Sequence, residues 1–390
     1  MIQIDKTKII FLLRKSSKAF ITITVCICVF IAFKTGHREL VNNVRMKQEQ
    51  ALPDTQDQEQ TKWMAYYERL LNDSRFRYTP YNLNDHHCKE QMYRNMKDNM
   101  KTVLNYPVIN EMKRQYNDIY KTFLDPVDTY DSNYPVIVTA SSSNRFTRSL
   151  AMISSVKKNL LPFYKGIKFI YFDLGLSKDE LSIVKAFCNC EVRPFPFHLY
   201  PPFVSDVFNY AWKPIIIYNM LTEFNFVIWV DASWAFNGNI EATDNFFIKA
   251  KETGILVLRF LDSNESVLYN REETFQYLNE TPCLFHLSQI ETNFITIWKT
   301  PFTWKYIVQP WLACSLTENC MSHPKAVLPC RSKNLYHWCH RFDRFIFTII
   351  LHRLFNTNID IINLNNLPAI GRIDRNQQIS LQTISNFFYT

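Results

Sequence analysis

A chain of 390 residues, 47% hydrophobic and 15% aromatic, can bury one large core or two ordinary ones, so a globular domain well above about 200 residues is expected. Its six glycines form neither the G-x-G-x-x-G of dinucleotide binders nor a Walker lysine loop, so any bound phosphate must be held by cations or a metal. The net charge of +8 is dispersed, with no basic run long enough for nucleic acid, which leaves acidic small substrates or a membrane surface as partners.

Near the start, Ala19 to Phe33 (AFITITVCICVFIAF) carries no charge and is bracketed by Lys18 and Lys34. As a helix it covers about 22 Å against a bilayer core of about 30 Å, a shortfall that snorkelling lysines and local thinning can absorb. The rival readings are a cleaved signal peptide and a core helix. No small-x-small cleavage site follows, because Ile31 and Phe33 flank Ala32, so an uncleaved single-span anchor is expected. The expected organisation is a tail over 1–18, the anchor over 19–33, a stem over 34–133 and a catalytic domain over 134–390.

Flanking charge orients the span only weakly, with Lys6, Lys8, Arg14, Lys15 and Lys18 before it and other basic residues close behind. The sequons at Asn72, Asn264 and Asn279 all follow the span and fit a lumenal C-terminal part. Beyond Cys26 and Cys28 the cysteines are Cys88, Cys188, Cys190, Cys283, Cys314, Cys320, Cys330 and Cys339. Their even number suits an oxidising compartment, with Cys314 to Cys320 and Cys330 to Cys339 the nearest spacings. Zinc is the rival, since Cys188, Cys190 and the Cys339-His340 pair offer ligands, but C-x-x-C spacing is missing.

The stem is polar, with helical stretches expected at 61–71 and 98–123. From Tyr134 the pattern changes. YPVIVTA reads as a strand, SSSNRFTRS leads into a helix over 150–160, and IKFIYFDLG is a second strand. Ser177 with Glu180 three residues on is a capping box for a helix through Cys188. CEVRPFPF is an edge-like third strand because of Pro194 and Pro196. Pro214 opens a helix, and FVIWV runs into Asp231 as a buried fourth strand. This alternation predicts an α/β fold with a mostly parallel sheet sandwiched by helices. Ligands of such sheets bind beyond the carboxyl ends of the strands, where Ser142 to Arg145, Asp173, and Asp231 with Ser233 should converge.

The motifs TASSSNRFTRSLAMISSV, YFDLGLSKDEL, YAWKPIII, VIWVDASWAF and CHRFD together resemble the GT-A nucleotide-sugar glycosyltransferases of the Golgi. They are similar in particular to an uncharacterised animal, notably invertebrate, group of glycosyltransferase-like type II membrane proteins. The resemblance covers roughly residues 134–358. It implies a Rossmann-like GT-A domain that moves a sugar from a nucleotide donor, a UDP-sugar with Mn²⁺ or Mg²⁺, to a glycan, glycoprotein or glycolipid acceptor. It places the protein in the Golgi or endoplasmic reticulum membrane.

In such enzymes the D-x-D carboxylates hold the ion that neutralises the departing diphosphate. Here the element is Asp231-Ala232-Ser233, a departure that puts metal dependence in doubt. Asp231 is the expected metal ligand, with Ser233 on the donor's ribose; the plainer reading is a strand-end turn. Lys213, just ahead of a helix, is expected beside the diphosphate, or else as an ordinary solvated charge. The resemblance puts Asn144, Arg145 and Asp173 where comparable folds contact base and ribose. Glu291 and Asp343 are the candidate catalytic carboxylates, either one a general base near the acceptor hydroxyl of an inverting enzyme, with Glu291 on the other face of the sugar as stabiliser or nucleophile in a retaining one, and His340 a late metal ligand. A capped helix pinned by Cys339 is the alternative for the CHRFD run. The related group often carries Gln where Arg344 stands. Phe195, Phe197, Tyr200, Trp234 and Trp311 offer sugar-stacking faces if they are not core. Two rival functions stay open: a catalytically inactive binding module of the same fold, and a lumenal hydrolase using paired carboxylates.

Overall fold

A computed structural model of the chain describes residues 61–69, 95–115, 133–259, 272–285, 287–321, 340–364 and 368–378. The expected anchor, the sequons at Asn72 and Asn264, and Cys88, Cys330 and Cys339 lie outside them. The chain divides into two units, Met1–Thr61 and Lys62–Thr390, and the second holds every element named below. Among the described residues no helix is long and apolar enough to cross a membrane.

The expected β/α alternation is present. Strand β1 (Val136–Ser141) is followed by helix α4 (Phe146–Asn159), β2 (Lys168–Asp173), α5 (Lys178–Phe187), β3 (Glu191–Pro194), α6 (Trp212–Glu223) and β4 (Phe226–Val230). After β4 come β5 (Trp234–Phe236), α7 (Ile240–Thr253), β6 (Ile255–Arg259), α8 (Glu272–Leu278), β7 (Ile290–Trp298), α9 (Gln309–Leu316), α10 (Phe342–Phe355) and β8 (Gly371–Ile373). Six strands form one sheet in the order β3-β2-β1-β4-β7-β6, and β5 pairs with β8 in a separate ribbon. The first four strands run parallel, while β7 is antiparallel to both its neighbours. The sheet is therefore mostly parallel, as expected.

Strand periodicity builds the layers. In β1 and β4, Val136, Val138, Val227 and Trp229 face one core with α6, α9 and α10, while Ile137, Phe226, Ile228 and Val230 face another with α4, α5 and α7. Both faces of the central strands are covered, which is why they read as unbroken apolar runs. The capping box at Ser177 and Glu180 forms as expected. Helix α6 begins at Trp212, two residues before the proline that signalled it, with Pro214 still in its first turn.

The stretch read as stem contributes to this core. Helices α1 (62–69 within this unit), α2 (Met96–Leu104) and α3 (Pro107–Gln115) place Tyr67, Met100, Val103, Tyr106 and Met112 in the same apolar cluster as Trp311, Phe345 and Phe355. A buried polar lock joins them: Glu280 accepts from Tyr106 Oη at 2.7 Å and Arg353 Nε at 2.7 Å.

Two disulfides lie among the described residues, Cys188–Cys190 with Cα atoms 5.1 Å apart and Cys314–Cys320 at 5.2 Å. The second is the expected short loop. The first overturns the zinc reading of Cys188 and Cys190, because thiolates joined to each other are not metal ligands. The aromatic faces expected for sugar are mostly core. Trp311 is fully buried against Phe347, Trp234 packs on Phe294, and Phe195 is buried between Phe197 and Tyr200.

Candidate functional site

The carboxyl end of β4 is where the chain collects its charge. Asp231 follows β4 directly, and its backbone N–H donates to the Asn293 carbonyl at 2.8 Å. Because Val230 is registered with Phe294 in antiparallel β7, residues 290–293 of β7 project past the end of β4. Glu291 thus belongs to the strand itself, in the part that extends beyond the end of β4.

Lys213 is the hub. It lies in the first turn of α6, a position set by Tyr210, which takes a left-handed φ of 59° and accepts the Lys213 N–H through its carbonyl. The ammonium is 3.0 Å from Asp231 Oδ1 and 2.8 Å from Asp343 Oδ2. It also reaches the Thr292 carbonyl at 3.3 Å and lies 5.5 Å from the ring centres of Tyr210 and Trp229. Burial disfavours its charge, but the two carboxylates outweigh that penalty and hold the pKa above the ordinary lysine range. Of this triad only Asp231 is open to solvent, with 23% of its side chain exposed against 2% for Lys213 and 7% for Asp343. The Trp229 indole N–H donates to the same Asp231 oxygen at 2.7 Å.

A second ion pair adjoins the first in sequence on both sides. Arg344, next to Asp343, binds Glu291 Oε2, next to Thr292. Both residues are buried, yet Glu291 Oε1 and Arg344 Nη1 have no hydrogen-bond partner among the described residues. Buried polar atoms without a protein partner are met by ordered water or by a ligand.

The other predicted residues fall out differently. Arg145 ends a short 3₁₀ turn after β1, exposed and close enough to Tyr210 for its charge to be felt by that phenol. Asn144 accepts from Ser142 within the same turn. Asp173 Oδ1 accepts from Gly175 and Leu176 N–H at 2.8 and 2.7 Å and so shapes the turn after β2. Ser233 stands in the Asp231 loop, and its carbonyl accepts from Asp374 N–H at 2.7 Å. His340 is fully buried, its Nε2 on the Met321 carbonyl at 2.8 Å. The structure therefore unites Asp231, Lys213, Asp343 and Glu291, with Ser233 in the same loop, and sends His340 into the core.

The residues present do not fit a divalent ion. Asp231 Oδ1 is already balanced by an ammonium and an indole donor, the second D-x-D position is a hydroxyl, and His340 is spent on a backbone carbonyl. Among the described residues no group of three or more His, Cys, Asp or Glu side chains is placed to hold a metal. A cavity of about 630 Å³ lies elsewhere, lined by Asp98, Tyr106, Asn279, Glu280 and Arg353, and none of the predicted site residues reaches it.

Three contributors to this geometry escaped the sequence: Tyr210, Trp229 and Arg344 as partner of Glu291. Tyr210 stands inside the motif YAWKPIII, but with 20 tyrosines in the chain nothing local distinguishes it. The burial of Lys213 had one signal, its position between Trp212 and Pro214 in an apolar run.

A family described as a protein of unknown function, DUF1647, matches residues 100–218. No curated protein matches the chain by sequence. Among solved structures it is similar to WbbM, a bifunctional glycosyltransferase, at 13% identity with a TM-score of 0.35, covering 60% of this chain and 39% of that one. It is also similar to the galactosyltransferase LgtC, solved with donor and acceptor sugar analogues, at 14% identity, TM-score 0.31, 56% of this chain and 70% of that one. The mannosyltransferase Ktr4p of S. cerevisiae, solved with GDP, matches at 10% identity, TM-score 0.35, 74% of this chain and 81% of that one. The chain thus spans about two fifths of the length of WbbM.

Proposed function

We propose that the protein is a glycosyltransferase that takes a sugar from a nucleotide-sugar donor, a UDP-sugar as the first choice, and gives it to a glycan, glycoprotein or glycolipid. The observation that carries this reading is the charged constellation beyond β4, Asp231, Lys213, Asp343 and the Glu291–Arg344 pair, with an unmatched buried acceptor on Glu291 and an unmatched donor on Arg344. Sugar hydroxyls both donate and accept, so they complete such a pair. The motif resemblance and the parallel sheet with its crevice at the strand ends support the same reading.

In this proposal Asp231 and Ser233 receive the ribose or sugar hydroxyls, and Lys213 holds the Asp231 carboxylate in place. Asn144, Arg145 and Asp173 line the donor side through the turns after β1 and β2. Glu291 and Asp343 face the transferred sugar. Each is neutralised by a neighbouring cation, so either acts as a base only when substrate draws Arg344 or Lys213 away. The setting is the lumen of the Golgi or endoplasmic reticulum behind the 19–33 anchor, in keeping with the two disulfides.

The test is incubation of the full-length chain with a panel of nucleotide sugars, reading release of nucleoside diphosphate. Turnover of one donor, reduced at least about a hundredfold in Asp231→Ala, is the expected result. A folded protein that releases no nucleotide from any donor refutes the reading. The pairing of every candidate carboxylate with a cation favours a second reading, a binding module of the same architecture. It predicts donor binding without turnover.

A further inference from the structure

The expected divalent ion does not fit, and a diphosphate still needs positive charge. Resting on the transferase reading, we propose that the donor's diphosphate is bound without metal, by a cluster of three arginines, Arg145, Arg148 and Arg375, around the Asp231–Trp234 loop.

Two of the three come from one place. Arg145 closes the turn after β1 and Arg148 lies in the first turn of α4, where the positive end of a 14-residue helix adds to their charge. The third comes from more than two hundred positions along the chain. Arg375 belongs to the turn after β8, and that turn is fastened to the Asp231 loop. Asp374 N–H donates to the Ser233 carbonyl at 2.7 Å, and Gln377 Nε2 donates to the Ala232 and Trp234 carbonyls at 3.1 and 2.8 Å. Antiparallel pairing of β5 with β8 holds the same contact from behind.

Because β1 and β4 pair in parallel, the turn that carries Arg145 and Arg148 lies beside the Asp231 loop to which the Arg375 turn is fastened. Burial lowers the pKa of Arg148, and the charges of Arg145 and Arg375 lower it further. Among the described residues none of the three has an ion-pair partner, and Arg148 Nε has no hydrogen-bond partner. The nearest acid in sequence, Asp374, is turned to Arg372 at 3.6 Å. Like charges gathered without a counter-ion repel, and a polyanion relieves that repulsion. Guanidinium forks match phosphate oxygens in pairs, which a lysine cannot do. Lys213 completes the division of labour, because its ammonium already takes Asp231 Oδ1 at 3.0 Å.

The experiment is calorimetric titration of the full-length chain with UDP, GDP and inorganic pyrophosphate, each in EDTA and in Mn²⁺. Wild type, Arg148→Met and Arg375→Met are compared. Arg375 is exposed, so its replacement leaves the core intact. The expected result is that affinity in EDTA stays within about threefold of that in Mn²⁺, and that each variant weakens binding about tenfold or more and flattens its salt dependence. Binding that requires Mn²⁺, or that survives both substitutions, overturns the inference while leaving the transferase reading in place. Absence of binding to all three probes overturns both. Arginine-dependent pyrophosphate binding in EDTA, with no donor turned over, upholds the anion site and refutes the transferase.

Discussion

Lys213 is buried with two carboxylates, and removing one partner of such a group exposes the others to the full cost of an uncompensated charge. Lys213→Met is therefore expected to destabilise the fold by about 3–5 kcal/mol, measured by urea unfolding. The double variant Lys213→Met/Asp343→Asn should recover part of that loss, because it removes the more deeply buried of the two orphaned acids. A second lysine behaves in the opposite way. Lys299, just past the end of β7 over the Trp304 ring, has no carboxylate among the described residues to offset burial, and its pKa falls to about 8. Between that value and the ordinary lysine value of about 10.4 the unfolded chain binds the proton and the folded one does not, so stability rises with pH across this window. Below pH 8 the penalty is fully present. Lys299→Met should raise Tm at pH 7 and flatten the rise between pH 8 and 10, readable by thermal unfolding across that range.

At the scale of the element, β8 decides how closely the C-terminal turn lies on the Asp231 loop. A Cβ on Gly371 would stand 2.5 Å from the Ala235 carbonyl oxygen and 2.8 Å from the Trp234 ring, closer than real Cβ atoms approach backbone. Glycine permits the ribbon to close. Gly371→Ala should part β8 from β5 and carry Arg375 and Gln377 away, weakening pyrophosphate binding several-fold with little change in global stability. Unchanged binding would show that the turn does not serve the site. The loops after β1 and β2 are tied in a similar manner, since Ser143 donates to the Gly175 carbonyl and to Glu180 of the capping box. That local chemistry was readable in advance: Ser177 and Glu180 announced the cap, and Asp173 announced a strand end. The use of Asp173 Oδ1 as a turn acceptor was not, because the same residue pattern serves a capping and a ribose-binding aspartate equally well.

The whole molecule is larger than its sheet. Tyr67, Met96, Met100, Val103, Tyr106, Val108, Ile109 and Met112 are all buried, and at about 1.5–3 kcal/mol for each buried side chain their contribution rivals the about 5–15 kcal/mol of net stability typical of a domain. A chain cut to residues 134–390 should therefore be unfolded or molten, and one beginning at residue 62 should give a cooperative transition, compared by circular dichroism and protease resistance. Equal cooperativity in both would show that α1 to α3 are accessory. Sequence could not place these helices, since an amphipathic helix amid polar neighbours reads the same whether it lies on a stem or docks on a distant face.

The sequence by itself determined what depends on neighbours along the chain: four parallel strands and their helices, the cap at Ser177, and a carboxylate at the end of FVIWV. Periodicity, propensity and capping act over a few residues, so they are legible in one dimension. Only the tertiary structure decided what that carboxylate meets. Asp231, Lys213 and Asp343 are drawn from three separate elements, Arg344 closes on Glu291 from α10, and the turn after β8 clasps the Asp231 loop. Coulomb energies fall with distance in space and have no counterpart in sequence separation, and so the pairing of the strand-end carboxylates with buried cations became visible only when the chain was folded.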